Sequence, residues 1–328
     1  MVLILSKKHI ESVLTMEESI AAVEEAFREL AMKTAQMPTR ASLSVSDKEG
    51  WMGAMPAYLS KAGALTTKIV TSYENNPARH KLPTIMAVIV LNDPETGRTE
   101  AVLEGSYITA VRTGAVSGVA TKHLARPDAS TVGIFGAGTQ AKTQLEAVMA
   151  VRNIQSVLVH DIAPEKAGRF SEQMSQRLRT GVRAEDDPER VAEQSEIIIT
   201  ASTSRVPVFK GDSLNSGTHI NAVGSFTPNA RELDDSTILR AKIVVDSLDA
   251  ALAEAGDLLI PMKAGIFRRD QIHAELGEIV VGRKKAREDD LEITVFKSVG
   301  LGIQDAAVAR LAYVKATKMG IGDKIELL

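Results

Sequence analysis

Residues Thr131 to Ala141 read Thr-Val-Gly-Ile-Phe-Gly-Ala-Gly-Thr-Gln-Ala, an apolar run that breaks into G-x-G-x-x-A. Thr131 to Phe135 has the length and apolar character of a buried strand, and Ala141, Leu145, Val148 and Met149 then recur at helical spacing. Each small residue between strand and helix has a physical task. Gly136 permits a tight turn, Gly138 lets a pyrophosphate approach the amides at the helix start, and Ala141 lets the helix lie close on the strand. A second apolar run, Ser156 to His160, ends in Asp161, roughly 25 residues after Gly136, where an acid can bond adenosine ribose hydroxyls. Strand, turn, helix, strand and acid in that order predict a dinucleotide site on Gly136, Ala137, Gly138, Thr139 and Gln140. Asp161 should repel a 2′-phosphate, so NAD(H) is the expected cofactor and NADP(H) the second choice. No Gly-Lys-Ser/Thr follows the glycines, which excludes a P-loop.

The pattern around this motif predicts an α/β fold. Apolar runs at about 131–135, 157–160, 182–184, 196–200, 219–223 and 242–246, with helical stretches between the first of them, suit a Rossmann-type doubly wound parallel sheet over 121–301. Another strand is expected from Leu291 to Phe296. The N-terminal part reads differently. Thr15-Met-Glu-Glu18 is a capping box for a helix running to about Met32, with Ile20, Val23, Phe27 and Leu30 as its buried stripe. Ala64 to Thr71 alternates like a strand, and Thr84–Leu91 and Arg98–Leu103 flank the hairpin signal Asn92 to Gly97. Residues 1–120 are therefore expected to form an α+β unit with an antiparallel sheet, linked onward by a helix from about Tyr107 to Leu124. The Ala- and Val-rich helix from Ile303 to about Ala316 is expected to return to this unit, so that 302–328 completes it. The sheet has more apolar surface than one helix covers, which points to a homodimer.

Composition narrows the function classes. Over 328 residues the formal net charge is -3, so nothing electrostatic favours nucleic acid or an acidic membrane as partner. With no cysteine there is no disulfide, thiolate metal site or Cys nucleophile, and the six histidines show no metal-ligand spacing. The longest plain apolar run, Ile85 to Leu91, is too short to span a bilayer, and Val2 to Leu5 is too short for a signal-peptide core. A cytoplasmic protein acting on a small molecule is the expectation.

Three cations stand in apolar or extended settings: Arg40, Lys68 and Arg112. Lys and Arg are most often surface charges. Lys68, however, shares a strand face with Thr66 and Val70, and Arg112 sits among the small residues of Ile108-Thr-Ala-Val-Arg-Thr-Gly-Ala-Val-Ser117. Two Arg and one Lys around one cleft would hold a small carboxylate, with Lys68 as proton donor at a pKa lowered by its surroundings. Asp246 is expected to cap a strand end, and Asp305 to satisfy backbone amides at a helix start.

These segments together resemble the ornithine cyclodeaminase/μ-crystallin family along essentially the whole chain. The matching stretches are Met37–Arg40, Thr67–Val70, Leu82–Thr84, Ile108–Ser117, Gly133–Ala141, His219–Gly224, Ala255–Leu258 and Phe296–Gly300. The resemblance implies an NAD(P)-binding Rossmann domain beside a substrate and dimerisation domain. By the same resemblance Arg40 and Arg112 would hold the substrate carboxylate, Thr84 would line the pocket and Lys68 would serve the α-carbon and nitrogen. Cofactor contacts would extend to Arg112, Thr113, Ala201, Thr203, Val223 and Lys297. One departure matters: the family's ornithine cyclodeaminases carry an Asp shortly after the Ala-Val-Gly turn, where this chain has Phe226. The resemblance therefore points to the family's imine reductases, with Δ1-pyrroline-2-carboxylate reduced to L-proline as the leading expectation. Alanine dehydrogenase, ornithine cyclodeaminase and a crystallin-like ligand-binding role are the alternatives.

Overall fold

The computed structural model describes residues 1–326. The chain divides into two compact units, Met1–Arg112 joined by the chain from Leu301 onward, and Thr113–Gly300. The sequence placed the division after residue 120. It falls instead inside a single helix, Gly105–Leu124, whose second half is packed within the other unit. A Cβ on Gly114 would lie 2.4 Å from the Thr143 carbonyl oxygen, so this helix touches Thr139–Val151 at backbone distance.

The first unit is built on an eight-stranded sheet. Its strands are β1 (Val2–Leu5), β2 (Ala35–Gln36), β3 (Ala41–Val45), β4 (Gly50–Leu59), β5 (Ala64–Tyr73), β6 (Ile85–Asn92) and β7 (Thr99–Glu104), with Asp323–Ile325 added from the chain's end. The order is Asp323–Ile325, β1, β7, β6, β5, β4, β2, with β3 also paired to β4. Pairing is antiparallel except between β1 and β7. Helices Met16–Ala31 and Gly302–Met319 pack together, and the second also lies on β4, β5 and β6. Gly302 makes the approach close: a Cβ there would sit 3.3 Å from Ala57 Cβ.

Period-two alternation decides which side chains meet that helix. In β5, Ala64, Thr66, Lys68 and Val70 are buried while Ile69 is exposed. Lys68 therefore lies inside, on the face that an apolar residue would ordinarily occupy. The opposite face leaves Leu43, Met52 and Ile69 exposed. The Thr15 capping box is half formed. Thr15 Oγ1 accepts from Glu18 N (3.3 Å), but the Glu18 carboxylate bonds the Thr15 hydroxyl and Lys315 Nζ instead of the Thr15 amide.

The second unit is the expected doubly wound α/β fold. Its strands β8 (Thr131–Phe135), β9 (Ser156–His160), β10 (Gly181–Ala184), β11 (Ile197–Thr200), β12 (His219–Ala222), β13 (Ala241–Val245), β14 (Ile272–Glu275) and β15 (Ile293–Lys297) are all parallel. The order is β10-β9-β8-β11-β12-β15-β13-β14. Ile197 and Ile199 enter one core, and Ile198 between them enters the other, so helices cover both faces. Edge strand β14 escaped the sequence reading because Ile272-His-Ala-Glu275 is short and half polar. The chain reverses direction across the sheet between β8 and β11, and a ligand crevice opens at such a switch point.

Candidate functional site

Gly136 leaves β8 with φ +98°, and a Cβ there would lie 2.6 Å from the Ala201 carbonyl oxygen, so no other residue fits. Gly138 caps the helix Thr139–Val151 from extended backbone, and a Cβ on it would meet nothing within 4 Å. Space is thus open in front of a helix start, where backbone amides and the helix dipole favour an anion. A cleft of about 560 Å³ lies there, lined by Gly136, Ala137, Gly138, Asp161, Ala201 and Thr203 among others. The residues fit a dinucleotide pyrophosphate. Asp161 Oδ2 accepts from Ala137 N (2.9 Å) and Oδ1 from Ala163 N (3.0 Å), so this acid holds the glycine turn to the end of β9. Lys166 also reaches the cleft, and Ile162 beside it is 97% exposed.

Thr113, Thr139, Gln140, Val223 and Lys297, also expected at this site, belong to the same unit. Thr139 and Gln140 begin the helix behind the glycines. The Thr113 carbonyl accepts from Gln144 Nε2 (2.7 Å), tying Gly105–Leu124 to that helix. Val223 N donates to Thr200 O (3.0 Å) just past β12. Lys297 is fully buried, its ammonium 2.7 Å from Asp257 Oδ2 and donating to the Ser225 carbonyl, which makes it part of the loop scaffold.

Glu232 is an organiser the sequence reading missed. It accepts from Thr200 Oγ1 (2.9 Å), Ser202 N (2.7 Å), Gly224 N (2.8 Å) and Ser225 N (3.1 Å), joining the loops that follow β11 and β12. Burial, with the Asp257 carboxylate beside it, pushes its pKa up. Asp246 does more than cap a strand end: its Oδ2 accepts from Ser298 Oγ, Val299 N and Gly300 N, each at 2.8 Å.

The first unit holds the second cluster. Lys68 Nζ is 2.7 Å from Asp305 Oδ2, and Arg112 Nε is 3.2 Å from Asp305 Oδ1. Arg112 Nη1 donates to Gln304 Oε1. Asp305 was expected to satisfy amides at the helix start. Its side chain instead turns onto two buried cations, whose desolvation an opposite charge at that depth offsets. The missed signal was electrostatic: two cations on apolar faces require an anion, and Asp305 is the acid in the first turn of the helix that packs on this sheet.

Burial lowers the Lys68 pKa from 10.5 to about 8; Asp305 opposes the shift, while Arg112 and Arg40 add to it. The cations expected together thus act on one another. Arg40 is half-buried just before β3. Thr84 is placed at the Tyr73 end of β5, its carbonyl accepting from Tyr73 N (2.8 Å). Among the described residues no group of His, Asp or Glu side chains is arranged to hold a metal ion, and no helix is long and apolar enough to cross a membrane.

Comparison with known proteins gives matches along the full length. The Delta(1)-pyrroline-2-carboxylate reductase of Bacillus thuringiensis subsp. konkukian is 42% identical over 325 residues, 99% of each chain. The structure of Thermococcus litoralis Delta(1)-pyrroline-2-carboxylate reductase in complex with NADH and L-proline matches with TM-score 0.96 at 48% identity, covering 99% of this chain and 100% of that one. An archaeal alanine dehydrogenase dimer with bound NAD matches with TM-score 0.94 at 40% identity, covering 100% and 99%. The model of the ornithine cyclodeaminase/mu-crystallin family matches residues 2–320, and the chain belongs to that family.

Proposed function

We propose that this chain is an NADH-dependent imine reductase that converts Δ1-pyrroline-2-carboxylate to L-proline. The observation that carries the reading is the buried cluster of Lys68 and Arg112 with Arg40 beside them, which suits a small anion carrying a basic nitrogen. The relatives that act on this imine match over the whole chain, which supports the same substrate. Arg112 and Arg40 hold the carboxylate. The Lys68 ammonium gives its proton to the ring nitrogen, and the resulting C=N⁺ carbon becomes electron-poor enough to accept hydride. NADH, when bound, supplies that hydride. Gly136, Gly138 and the helix start seat its pyrophosphate, and Asp161 takes the ribose hydroxyls and disfavours a 2′-phosphate.

Phe226 favours reduction over ornithine cyclisation, since a phenyl group at that sequence position cannot accept a proton or pair with an ammonium. A homodimer is part of the reading: Leu43, Met52 and Ile69 leave an apolar sheet face exposed, and the alanine dehydrogenase relative is a dimer. The test follows NADH absorbance with purified protein. Rapid oxidation with the cyclic imine is expected. Oxidation only with pyruvate and ammonia, or proline from ornithine with no net NADH change, would sink the proposal.

A further inference from the structure

The groups that bind and protonate the imine are cations, and the structure shows what holds them. Lys68 projects from β5, Arg112 from Gly105–Leu124, and Arg40 precedes β3. Packed side by side in a dry interior, Lys68 and Arg112 repel each other, and each loses its hydration. One carboxylate meets both. Asp305, on the first turn of Gly302–Met319, accepts from Lys68 Nζ at Oδ2 (2.7 Å) and from Arg112 Nε at Oδ1 (3.2 Å), with both Lys68 and Asp305 at 1% exposure. Its neighbour Gln304 takes Arg112 Nη1, so two consecutive residues fix the guanidinium plane.

Resting on the function proposed above, we propose that Asp305 is a positioning residue for the reduction, aiming the Lys68 ammonium and the Arg112 guanidinium at the substrate through one bridging carboxylate.

Two observations separate this from a structural salt bridge. Three buried charges are an expensive way to stabilise a core, since an apolar replacement of the same shape is often as stable or more so. The cluster is also incomplete within the protein. Thr66 Oγ1, on the same strand face as Lys68, and Gln304 Nε2 are buried without a hydrogen-bond partner among the described residues. Buried polar atoms are nearly always satisfied, so unmatched ones beside a charged cluster point to a polar ligand there.

The charged groups that act on Lys68 are Asp305, Arg112 and Arg40. Asp305 favours the protonated amine, and the two arginines disfavour it. Removing the Asp305 charge must therefore lower the lysine's pKa, and removing the Arg40 charge must raise it.

The experiment uses Asp305→Asn, Asp305→Glu and Arg40→Gln in the full-length protein. In Asp305→Asn, kcat should fall by about 100-fold or more, within the range for a misdirected proton donor. Its NADH affinity should be unchanged, and the alkaline limb of the pH–rate profile should move to lower pH. Asp305→Glu keeps the charge one methylene out of place. It should fold, hold the limb near wild type, and recover part of kcat. Arg40→Gln should move the limb upward. In a Lys68→Met background, adding Asp305→Asn should cost less than it does in wild type, because the part of its effect that runs through Lys68 is already lost and only the Arg112 part remains.

A readout independent of turnover separates this proposal from the function reading. In ¹⁵N-lysine-labelled protein, the Lys68 ammonium signal, assigned by its loss in Lys68→Met, should titrate near 8 and move down in Asp305→Asn. If wild type leaves the cyclic imine unreduced while this shift occurs, the substrate assignment fails and the positioning role stands. Wild-type kcat and an unshifted Lys68 titration in folded Asp305→Asn would overturn the role. If Asp305→Asn does not fold, wild-type kcat in Asp305→Glu would overturn it.

Discussion

Lys68 and Asp305, from opposite ends of the chain, form a 2.7 Å ion pair that is almost wholly shielded from solvent. The strand carrying Lys68 belongs to the N-terminal sheet, and the helix carrying Asp305 is the last among the described residues. The first unit is therefore built by both ends of the chain, and its charged centre exists only once the closing helix has docked. Charge in such a place is costly, and a functional use explains why it is kept.

Loss of the proton donor should be visible in kcat alone. Lys68→Ala should reduce imine reduction by about 10²–10⁴-fold, the usual range for a general acid. NADH binding, followed by quenching of protein or nicotinamide fluorescence, should be unchanged. A wild-type kcat in this variant would remove Lys68 from the mechanism.

The pH dependence has a definite sign. Burial holds Lys68 at about 8, and reduction needs its protonated form. kcat/KM for the imine should be level below that pH and fall about tenfold per unit above it. Oxidation of L-proline needs the unprotonated amine and should rise through the same pH. Parallel profiles in the two directions would contradict the assignment.

Gly138 separates the fold from cofactor binding. Its backbone lies in the extended region and a Cβ meets nothing, so Gly138→Ala should leave Tm unchanged. The added methyl would enter the space assigned to the pyrophosphate, and NADH affinity should fall tenfold or more, about 1.4 kcal/mol. Calorimetric titration beside a thermal melt reads both quantities. An unaltered Kd would mean that the pyrophosphate sits elsewhere.

Cofactor choice should turn on Asp161. Asp161→Asn keeps an acceptor for the Ala137 amide but loses the charge that opposes a 2′-phosphate. The ratio of kcat/KM for NADPH to that for NADH should rise by about tenfold, again about 1.4 kcal/mol. Equal use of both cofactors by wild type would refute this role.

A stability effect is expected away from the reacting groups. Asp257 pairs with Lys297, both fully buried, and Asp257→Asn leaves the ammonium without its counter-charge. Urea unfolding should show a loss of about 3–5 kcal/mol, the range for breaking a buried pair. A midpoint within error of wild type would mean that the pair contributes little to stability.

Much of this protein is readable before folding because the information is local. The glycines of Gly136–Gly138, the apolar strand before them and the helix after them act within one short segment, where steric needs dictate residue type. Period-two burial likewise places Lys68 on a named face of Ala64–Tyr73, and small neighbours mark Arg112 as a charge among apolar residues. The anion between them was not readable. Asp305 has the local signature of a helix-start acid, and nothing in its own neighbourhood reveals that its side chain turns away from the amides. Glu232 was hidden for the same reason, since its partners come from two loops separate from it in sequence.

The sequence by itself determined the doubly wound class, the glycine turn that opens the cofactor cleft, and the strand face on which the key lysine lies. Tertiary structure alone decided that β15 inserts between β12 and β13, and that the closing helix brings one carboxylate to two cations. The physical reason is range. Backbone geometry and burial periodicity act over a few residues and leave their mark in sequence, whereas a buried charge is stabilised by whichever distant group packing delivers to within about 3 Å.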